Sequence, residues 1–348
     1  MSKNKNKGNL HLIGLGGAGI NASVYVYEKM KELAGDGFSN VDIRLADTTT
    51  KSIQTHPDFL DKFSKITSNS ATSELDGSGG ERKSKEILKD IVIGMKEYLD
   101  FLNLSNNKND YYVLFASASG GSGGSMLSVL LNLMLERNFS VMVAPIGDSS
   151  NFLYLNNTIN VVSGLQNIAL KSKNAVPVMY YDNTVDGQTT KATETLVNEK
   201  LFKMISIISV YIGGSILDID NEDMRMFLNP SNYKTFNVKP GLYSLGISTR
   251  ILDDENTILA RTIVSKDETD EFKVTNKILH NKVGVIPEHM KDVFETYALF
   301  LILRKNIINE EIKKLKVELV NLEDLETTDY EEFETIENSE EDDFGLIV

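Results

Sequence analysis

The chain has 348 residues, enough for about two domains, and its 41% hydrophobic and 25% charged residues exclude a largely disordered chain. It contains no cysteine, which excludes a disulfide scaffold, thiolate catalysis and cysteine-ligated metal sites. The net charge of −14 arises mainly at the end of the chain, where residues 317–348 are rich in Asp and Glu and lack Lys and Arg, so the body has no basic field of the kind that nucleic-acid-binding proteins carry.

Strand-like and helix-like segments alternate through the first half of the chain. In chain order, the pattern predicts a strand at 10–14, a helix at 20–33, a strand at 41–46, a helix at 83–104, a strand at 111–116, a helix at 126–137, and strands at 141–146 and 176–181. This alternation predicts an α/β fold, in which a Rossmann-like parallel sheet has helices on both faces.

The second half predicts a different organisation. A long apolar segment predicts a buried central helix, alternating residues predict a smaller α+β domain, and Pro287 is expected to open a long C-terminal helix. The predicted units are an α/β domain (8–190), the central helix (191–213), the α+β domain (214–285), the C-terminal helix (286–316) and an acidic tail (317–348). The longest apolar runs are shorter than the roughly 20 residues of a membrane span, so we expect a cytoplasmic protein without membrane contact.

The first of three candidate ligand loops is GLGGAGIN, from Gly14 to Asn21. Its glycines would let backbone N–H groups approach an anion at the start of a helix. The loop also matches the dinucleotide fingerprint G-x-G-x-x-G, with Asp42 or Asp47 at a suitable distance to contact a ribose. From the loop alone, nucleotide binding and simple tight packing both remain open.

The second loop, SGGSGGS from Ser119 to Ser125, combines glycines with hydroxyls at a predicted helix start. This composition predicts a phosphate cradle, and the lack of a lysine excludes a Walker A loop. The loop also matches G-x-S-x-G around Ser122, a hydrolase nucleophile pattern for which His280 or His289 would have to serve as base. One polyphosphate explains both glycine loops, so phosphate binding is favoured over hydrolase chemistry.

The third feature is a group of carboxylates after the predicted central helix, Asp218, Asp220 and Asp223. Acidic residues at a helix start are stabilised by the helix dipole, so they could simply cap the next helix. Alternatively, a pair of them could orient an attacking water molecule. The spacing does not fit an EF-hand loop.

In this order and spacing, the three motifs resemble those of the tubulin/FtsZ GTPases, specifically the bacteriophage and plasmid branch of TubZ-like and PhuZ-like proteins. The second loop departs from the family's GGGTGTG pattern but keeps a hydroxyl at Ser122, and residues 77–83 resemble the branch's GxGxER loop. The resemblance implies a GTPase domain at 8–190 and the tubulin/FtsZ fold, with a central helix, a smaller C-terminal domain and a long C-terminal helix.

The resemblance also implies a site for GTP or GDP with Mg²⁺. Its phosphate-binding residues would be Gly16, Gly17 and Ala18 in the first loop and Gly120, Gly121, Ser122, Gly123 and Gly124 in the second. Asp47 would lie near the γ-phosphate and Mg²⁺, Asp148 near the sugar, and Asn21, Asn183 and Asn198 near the guanine. The family often has an aromatic residue one turn before the helix asparagine, where this chain has Glu194.

The resemblance further implies GTP hydrolysis coupled to head-to-tail filament assembly. The loop with Asp220 and Asp223 of one subunit would dock over the nucleotide of the next and position the attacking water, although Asp218 replaces the family's asparagine. The expected role is to position or segregate phage or plasmid DNA in the bacterial cytoplasm. Three alternatives remain: a nucleotide-bound scaffold filament without hydrolysis, an NAD(P)-dependent oxidoreductase and an α/β-hydrolase.

The acidic tail interleaves carboxylates with apolar residues. Such a segment could remain a solvated tail, or it could fold onto a basic groove of the neighbouring subunit or of an adaptor protein. No direct nucleic-acid binding is expected. Because the TubZ branch commonly has a basic tail, the acidic one favours a phage-type filament.

Overall fold

A computed structural model of the chain describes residues 8–33, 38–66, 85–104, 107–185, 188–213, 216, 218–232, 238–248, 258–265, 280–286, 288, 298–304 and 310–321. Its helices are α1 (Gly16–Glu32), α2 (Lys85–Leu102), α3 (Gly121–Glu136), α4 (Phe152–Lys171), α5 (Thr190–Ile212), α6 (Asn221–Leu228) and α7 (310–321). Its strands are β1 (Asn9–Leu15), β2 (Asn40–Asp47), β3 (Phe63–Lys65), β4 (Tyr111–Ser117), β5 (Ser140–Gly147), β6 (Ala175–Val178), β7 (Tyr181–Asp182), β8 (Gly241–Ser248), β9 (Ile258–Ser265), β10 (His280–Val285) and β11 (Ala298–Arg304). Short 3₁₀ helices span Ser52–Thr55, Pro57–Lys62 and Pro230–Asn232.

One mixed sheet connects these strands in the order β10-β9-β11-β8-β6-β5-β4-β1-β2-β3, with β7 paired to β5. The six strands that follow one another in the sheet as β6, β5, β4, β1, β2 and β3 all pair in parallel. This confirms the predicted α/β class. Strand β8 pairs in parallel with β6, so the strands of the second half extend the sheet of the first half.

Helices cover both faces of the parallel part of this sheet. In β4, Tyr111, Val113 and Phe115 join a core with α1 and α5, whereas Tyr112 and Leu114 join a second core with α2, α3 and α4. Because successive side chains of a strand point to opposite faces, the unbroken apolar run of β4 supplies both cores. The result is a three-layer arrangement around β1, β4 and β5.

The order of the parallel strands reverses between β1 and β4. From β1 the chain continues to β2 and β3 on one side, and from β4 it continues to β5 and β6 on the other. In open α/β sheets, ligands bind outside the carboxyl ends of the strands at such a switch point. Since Leu15 lies opposite both Ala46 and Ala116, the carboxyl ends of β1, β2 and β4 are adjacent there.

The predicted C-terminal helix at 286–316 is wrong. Residues 298–304 form β11, which lies antiparallel between β9 and β8, and the described helix α7 begins only at residue 310. The segment ALFLILR is a continuous apolar run, and a run of this length is equally compatible with a buried helix and a central strand. Helix α7 also continues to residue 321, into the first residues of the predicted tail.

Two other differences concern helices of the first half. Helices α1 and α3 begin at Gly16 and Gly121, earlier than predicted, so most of each glycine loop forms the first helical turn. Helix α4 was not predicted. None of the described helices is long and apolar enough to cross a membrane. The GxGxER loop at 77–83, His289 and the tail beyond residue 321 lie outside the described residues.

Candidate functional site

The two glycine loops pack against each other, backbone to backbone, at the switch point. Gly16 has φ +69°, and a Cβ there would lie 3.0 Å from Gly123 Cα. A Cβ on Gly123 would in turn lie 3.0 Å from the Leu15 carbonyl oxygen. The first turns of α1 and α3 therefore converge. Their backbone N–H groups lack intrahelical partners, and both helix dipoles are positive at this end, which makes the region suited to an anion.

Gly17 differs from its neighbours because it faces open space. A Cβ built on it meets only Ser52 Cβ, at 3.9 Å, and the residue is exposed. Nothing in the protein's own packing therefore requires glycine at this position. A bare backbone N–H at a helix start with room above it is what a ligand phosphate needs for close approach.

Gly19 has the opposite role, since it lets α1 pack closely on β4. A Cβ there would lie 2.3 Å from the Phe115 carbonyl oxygen, so Gly19→Ala should destabilise the fold by about 1–3 kcal/mol through overpacking. Urea denaturation measures this loss. The control is Gly164→Ala in α4, where a Cβ meets nothing within 4 Å. Equal stability of the two variants would contradict the close packing at Gly19.

Asp47 ends β2 in a buried, hydrogen-bonded position. Its Oδ1 accepts from the Thr48 backbone N–H at 2.7 Å, and its Oδ2 accepts from the Ser52 hydroxyl at 2.7 Å. Burial raises the pKa of the Asp47 carboxyl above its ordinary value, and these hydrogen bonds oppose the rise. The Thr48 hydroxyl contacts the Ser122 hydroxyl at 3.0 Å. The segment after β2 is thereby fastened to the second glycine loop, beside a carboxylate that could accompany a phosphate-bound cation.

Ser122 lies in the first turn of α3, with its hydroxyl directed at Thr48 rather than at a histidine. This contact does not supply the base that the hydrolase alternative needs. Other bonds hold the loop in place. The Gly120 N–H donates to the Ser117 hydroxyl at 2.9 Å, and the Asn157 side chain of α4 donates to the Ser119 carbonyl at 3.0 Å. The loop is thus braced from both sides.

The three asparagines assigned to the guanine differ in their surroundings. Asn21 donates through Nδ2 to Glu194 Oε1 at 3.0 Å. Asn183 follows β7, and its Oδ1 is buried without a hydrogen-bond partner among the described residues. Asn198 is 8% exposed and lies one turn after Glu194 on α5. A buried carbonyl oxygen without a partner is costly, so the Asn183 amide fits a ligand that brings an N–H donor.

Asp148, the residue assigned to the sugar, is engaged within the protein. Its Oδ1 accepts from the Ser150 backbone N–H at 2.9 Å and from the Thr184 hydroxyl at 3.1 Å. The carboxylate therefore ties the loop after β5 to the loop after β7. Its second oxygen is left for other contacts, so a sugar-binding role stays a prediction.

The acidic motif forms the start of α6, as its helix-capping interpretation predicts. Asp220 is the N-cap and forms a capping box with Asp223. Asp223 is 8% exposed and pairs with Lys282 at 3.0 Å, whereas Asp220 is exposed. The pKa of Asp220 is held below its ordinary value, first by the hydrogen bond from the Asp223 N–H and then by the one from Glu222 and by the nearby Lys282 and Arg225.

Helix α5 separates the acidic motif from the glycine loops. Its first turns carry Glu194, which bonds Asn21 beside the first glycine loop. Near the end of α5, the Ser209 carbonyl accepts a hydrogen bond from the Ser39 N–H. Ser39 directly precedes β2, so this contact lies at the amino ends of the parallel strands, opposite to the ends that carry the glycine loops. A helix of 23 residues is about 34 Å long at 1.5 Å per residue. The structure therefore places Asn21 and the first glycine loop near the start of α5, whereas Asp220 and Asp223 lie on α6, which packs near the end of α5.

Sequence reasoning missed several polar residues of this region: Thr48, Ser52, His56, Asn157 and Thr184. Thr48 and Ser52 had a local signal, since the polar run DTTTKS directly follows a predicted strand. The others have none, because their partners lie far away along the chain. For example, Asp148 and Thr184 are 36 positions apart.

Comparison with known proteins supports one fold class. No family model matches the chain. A phage tubulin-like protein of Pseudomonas phage 201phi2-1 is 24% identical over 229 residues, which cover 65% of this chain and 68% of that protein. The solved structure of the phage tubulin PhuZ with GDP has a TM-score of 0.70 and 19% identity, covering 97% of this chain and 94% of that chain. A protofilament of TubZ from bacteriophage PhiKZ has a TM-score of 0.70 and 15% identity, covering 92% and 91%.

The chain therefore has a tubulin-like fold, in which two glycine loops pack together at the switch point of the sheet. Its predicted resemblance to the bacteriophage branch of the tubulin/FtsZ superfamily is confirmed.

Proposed function

We propose that this chain binds and hydrolyses GTP and polymerises head to tail, with each nucleotide site completed by the acidic motif of the next subunit. The observation that carries this proposal is the position of the two half-sites at opposite ends of α5. Glu194 and Ser209 lie about 22 Å apart along α5, so Asp220, which comes after the end of this helix, cannot reach a nucleotide bound at its own glycine loops. Stacking subunits along this direction would bring the acidic motif of one onto the glycine loops of the next, a heterologous contact that repeats without closing.

Guanine nucleotide fits the residues present at the crevice. The first turns of α1 and α3 would hold the phosphates through backbone N–H groups, with Gly16, Gly17 and Ala18 in one loop. The second loop would contribute Gly120, Gly121, Ser122, Gly123 and Gly124. Asn183 Oδ1, which has no hydrogen-bond partner within the described part of the chain, suits an N–H donor of guanine. Asn21 and Asn198 lie on the helices that flank the crevice. The GDP named for the PhuZ structure supports this assignment.

Mg²⁺ would be held mainly by the phosphates. The described residues contain no group of three or more His, Asp or Glu side chains able to hold a metal ion by themselves. Mg²⁺ usually keeps several waters and takes one or two carboxylates together with substrate phosphates, and Asp47 could be such a carboxylate. The ion would neutralise phosphate charge, while Asp47 orients the segment that carries Thr48 and Ser52.

In this proposal the exposed Asp220 carboxylate accepts a hydrogen bond from the attacking water at the γ-phosphate. Its lowered pKa keeps it ionised at neutral pH, which suits an acceptor. Asp223 does not contact the water in this proposal but positions Asp220. Its ion pair with Lys282 and the hydrogen bond that it accepts from the Asp220 N–H hold the start of α6 in place. Phosphoryl transfer needs little more than such positioning and charge stabilisation.

We further propose that the filament positions or segregates phage or plasmid DNA in the bacterial cytoplasm. Residues 322–348 would bind the neighbouring subunit or an adaptor protein through their interleaved acidic and apolar residues. The phage origin of the relatives supports the phage context.

Light scattering recorded together with phosphate release tests this function. With GTP and Mg²⁺, both signals should appear only above a critical protein concentration, whereas ATP should give neither. Scattering without phosphate release would favour a scaffold that does not hydrolyse GTP, and turnover proportional to concentration without scattering would contradict the filament. A chain ending at residue 321 tests the tail, because unchanged assembly and unchanged partner binding would contradict a role for it.

A further inference from the structure

Three polar side chains form a continuous hydrogen-bonded chain beside the first glycine loop. Asn21 Nδ2 lies 3.0 Å from Glu194 Oε1, and Asn21 Oδ1 lies 2.9 Å from His56 Nε2. These residues belong to three elements that border the crevice: α1, α5 and the segment after β2. All three side chains are only partly buried, so the hydrophobic core does not require them.

The chemistry of the groups fixes the direction of both hydrogen bonds. An ionised Glu194 carboxylate can only accept, so the Asn21 amide nitrogen must donate to it. The Asn21 carbonyl oxygen then faces His56, and His56 must carry a hydrogen on Nε2 to donate to it. The amide of Asn21 is thereby held in one orientation. It keeps a second N–H for a ligand.

The location of these three hydrogen-bonded side chains links them to the proposed nucleotide site. Asn21 follows Gly16 and Gly17 on the same helix, and Glu194 lies one turn before Asn198 on the same face of α5. His56 belongs to the segment that begins at Asp47 and is tied to it by Ser52. The hydrogen-bonded chain therefore runs from the segment beside the phosphate loops to the helix assigned to the base.

We propose that Glu194 and His56 are positioning residues, which together hold the Asn21 amide so that its remaining N–H faces the base of a bound nucleotide. The inference rests on the proposed function, because it requires a nucleotide with its base at this end of the crevice. Guanine offers its ring nitrogen N7 and its carbonyl oxygen O6 as acceptors, and either would match the remaining N–H of Asn21. The base would then be recognised by an amide whose orientation is already fixed before binding.

Loss of Glu194 should act through Asn21 rather than directly on the ligand. Without the carboxylate, the amide can rotate and present its oxygen instead of its N–H, and ordering it again on binding costs free energy. Glu194→Gln should preserve the arrangement, because the Gln carbonyl oxygen can still accept from Asn21 Nδ2. These two substitutions therefore separate the hydrogen-bonding role of Glu194 from its charge.

A double-mutant cycle on the full chain tests the proposal, with GDP and tripolyphosphate as the two ligands. Asn21→Ala and Glu194→Ala should each weaken GDP binding by about tenfold, the scale of one lost hydrogen bond. The double variant should bind GDP about as well as either single variant, because the two residues act as a unit. Glu194→Gln should bind GDP nearly as well as the wild type. Tripolyphosphate binding should be the same in all of them, since it has no base.

Three results would overturn the inference. Additive losses in the double variant would show that Asn21 and Glu194 act independently. An equal loss of tripolyphosphate affinity would show that the substitutions disturb the phosphate loops. Unchanged GDP affinity in Glu194→Ala would remove the positioning role altogether. Failure of the proposed function looks different, because the wild-type chain itself would then bind GDP no more tightly than ADP.

Discussion

Replacing Gly17 with alanine should weaken GDP binding by about 10- to 100-fold without changing the stability of the nucleotide-free protein. The added Cβ would meet only Ser52 Cβ at 3.9 Å, an ordinary van der Waals contact, so the fold should accept it. The same methyl group would occupy the space through which a phosphate approaches the backbone N–H groups of α1. The loss corresponds to about one hydrogen bond to a charged group.

Titration calorimetry with unlabelled GDP measures this effect, and thermal unfolding without nucleotide measures stability. Gly164→Ala is the matched control, because it makes the same chemical change in a helix where the Cβ meets nothing within 4 Å. It should leave GDP affinity unchanged. If Gly17→Ala bound GDP as tightly as Gly164→Ala, the phosphates would not lie over the first turn of α1.

Replacing Asp220 with asparagine should lower GTP turnover by about 100- to 10,000-fold, the usual contribution of a general base, while leaving GDP binding intact. Asparagine is as good a helix N-cap as aspartate, so α6 should keep its start. What the substitution removes is the exposed carboxylate, which we propose orients water in the neighbouring subunit. Nucleotide binding should persist because the glycine loops lie at the other end of α5.

Glu222→Gln is the matched control for this substitution. Glu222 is exposed in the first turn of α6, next to Asp220, and pairs with Arg225. Its replacement removes the same charge from the same region. Because only Asp220 is proposed to orient the water, Glu222→Gln should leave turnover near the wild-type value. Similar rates for Asp220→Asn and Glu222→Gln, in an assay of phosphate release above the critical concentration, would contradict a specific role for Asp220.

The convergence of the two glycine loops at one end of the sheet could be predicted from sequence because its signals are local. The segments that became β1 and β4 each combine an apolar run with glycines immediately after it, and a parallel sheet must bring such ends together. The capping role of Asp220 was also foreseeable, since acidic residues favour helix starts. In these cases, a few neighbouring residues determine the local structure.

Other features depend on residues far apart in the chain. The run that forms β11 is apolar throughout, so its periodicity could not distinguish a strand from a buried helix; pairing with β8 and β9 decides it. Likewise, nothing near Asn21 predicts its bond to Glu194, 173 positions away, or the contact between Thr48 and Ser122, 74 positions apart. Such pairs arise from the topology of the sheet.

Mixing two defective variants tests most directly whether the catalytic site is shared between subunits. At a GTP concentration that saturates the wild type but not Gly17→Ala, the nucleotide site of Gly17→Ala should be mostly empty. Asp220→Asn should lack a working acidic motif, so each variant alone should show little turnover. In an equimolar mixture, about a quarter of head-to-tail contacts would join the intact halves of both variants, so phosphate release should recover to about that fraction of the wild-type rate. A control mixture of wild type with the double variant Gly17→Ala/Asp220→Asn shows co-assembly, because turnover per wild-type subunit should fall to about half when the two assemble together. Co-assembly without recovery in the mixture of the two variants would contradict the shared site.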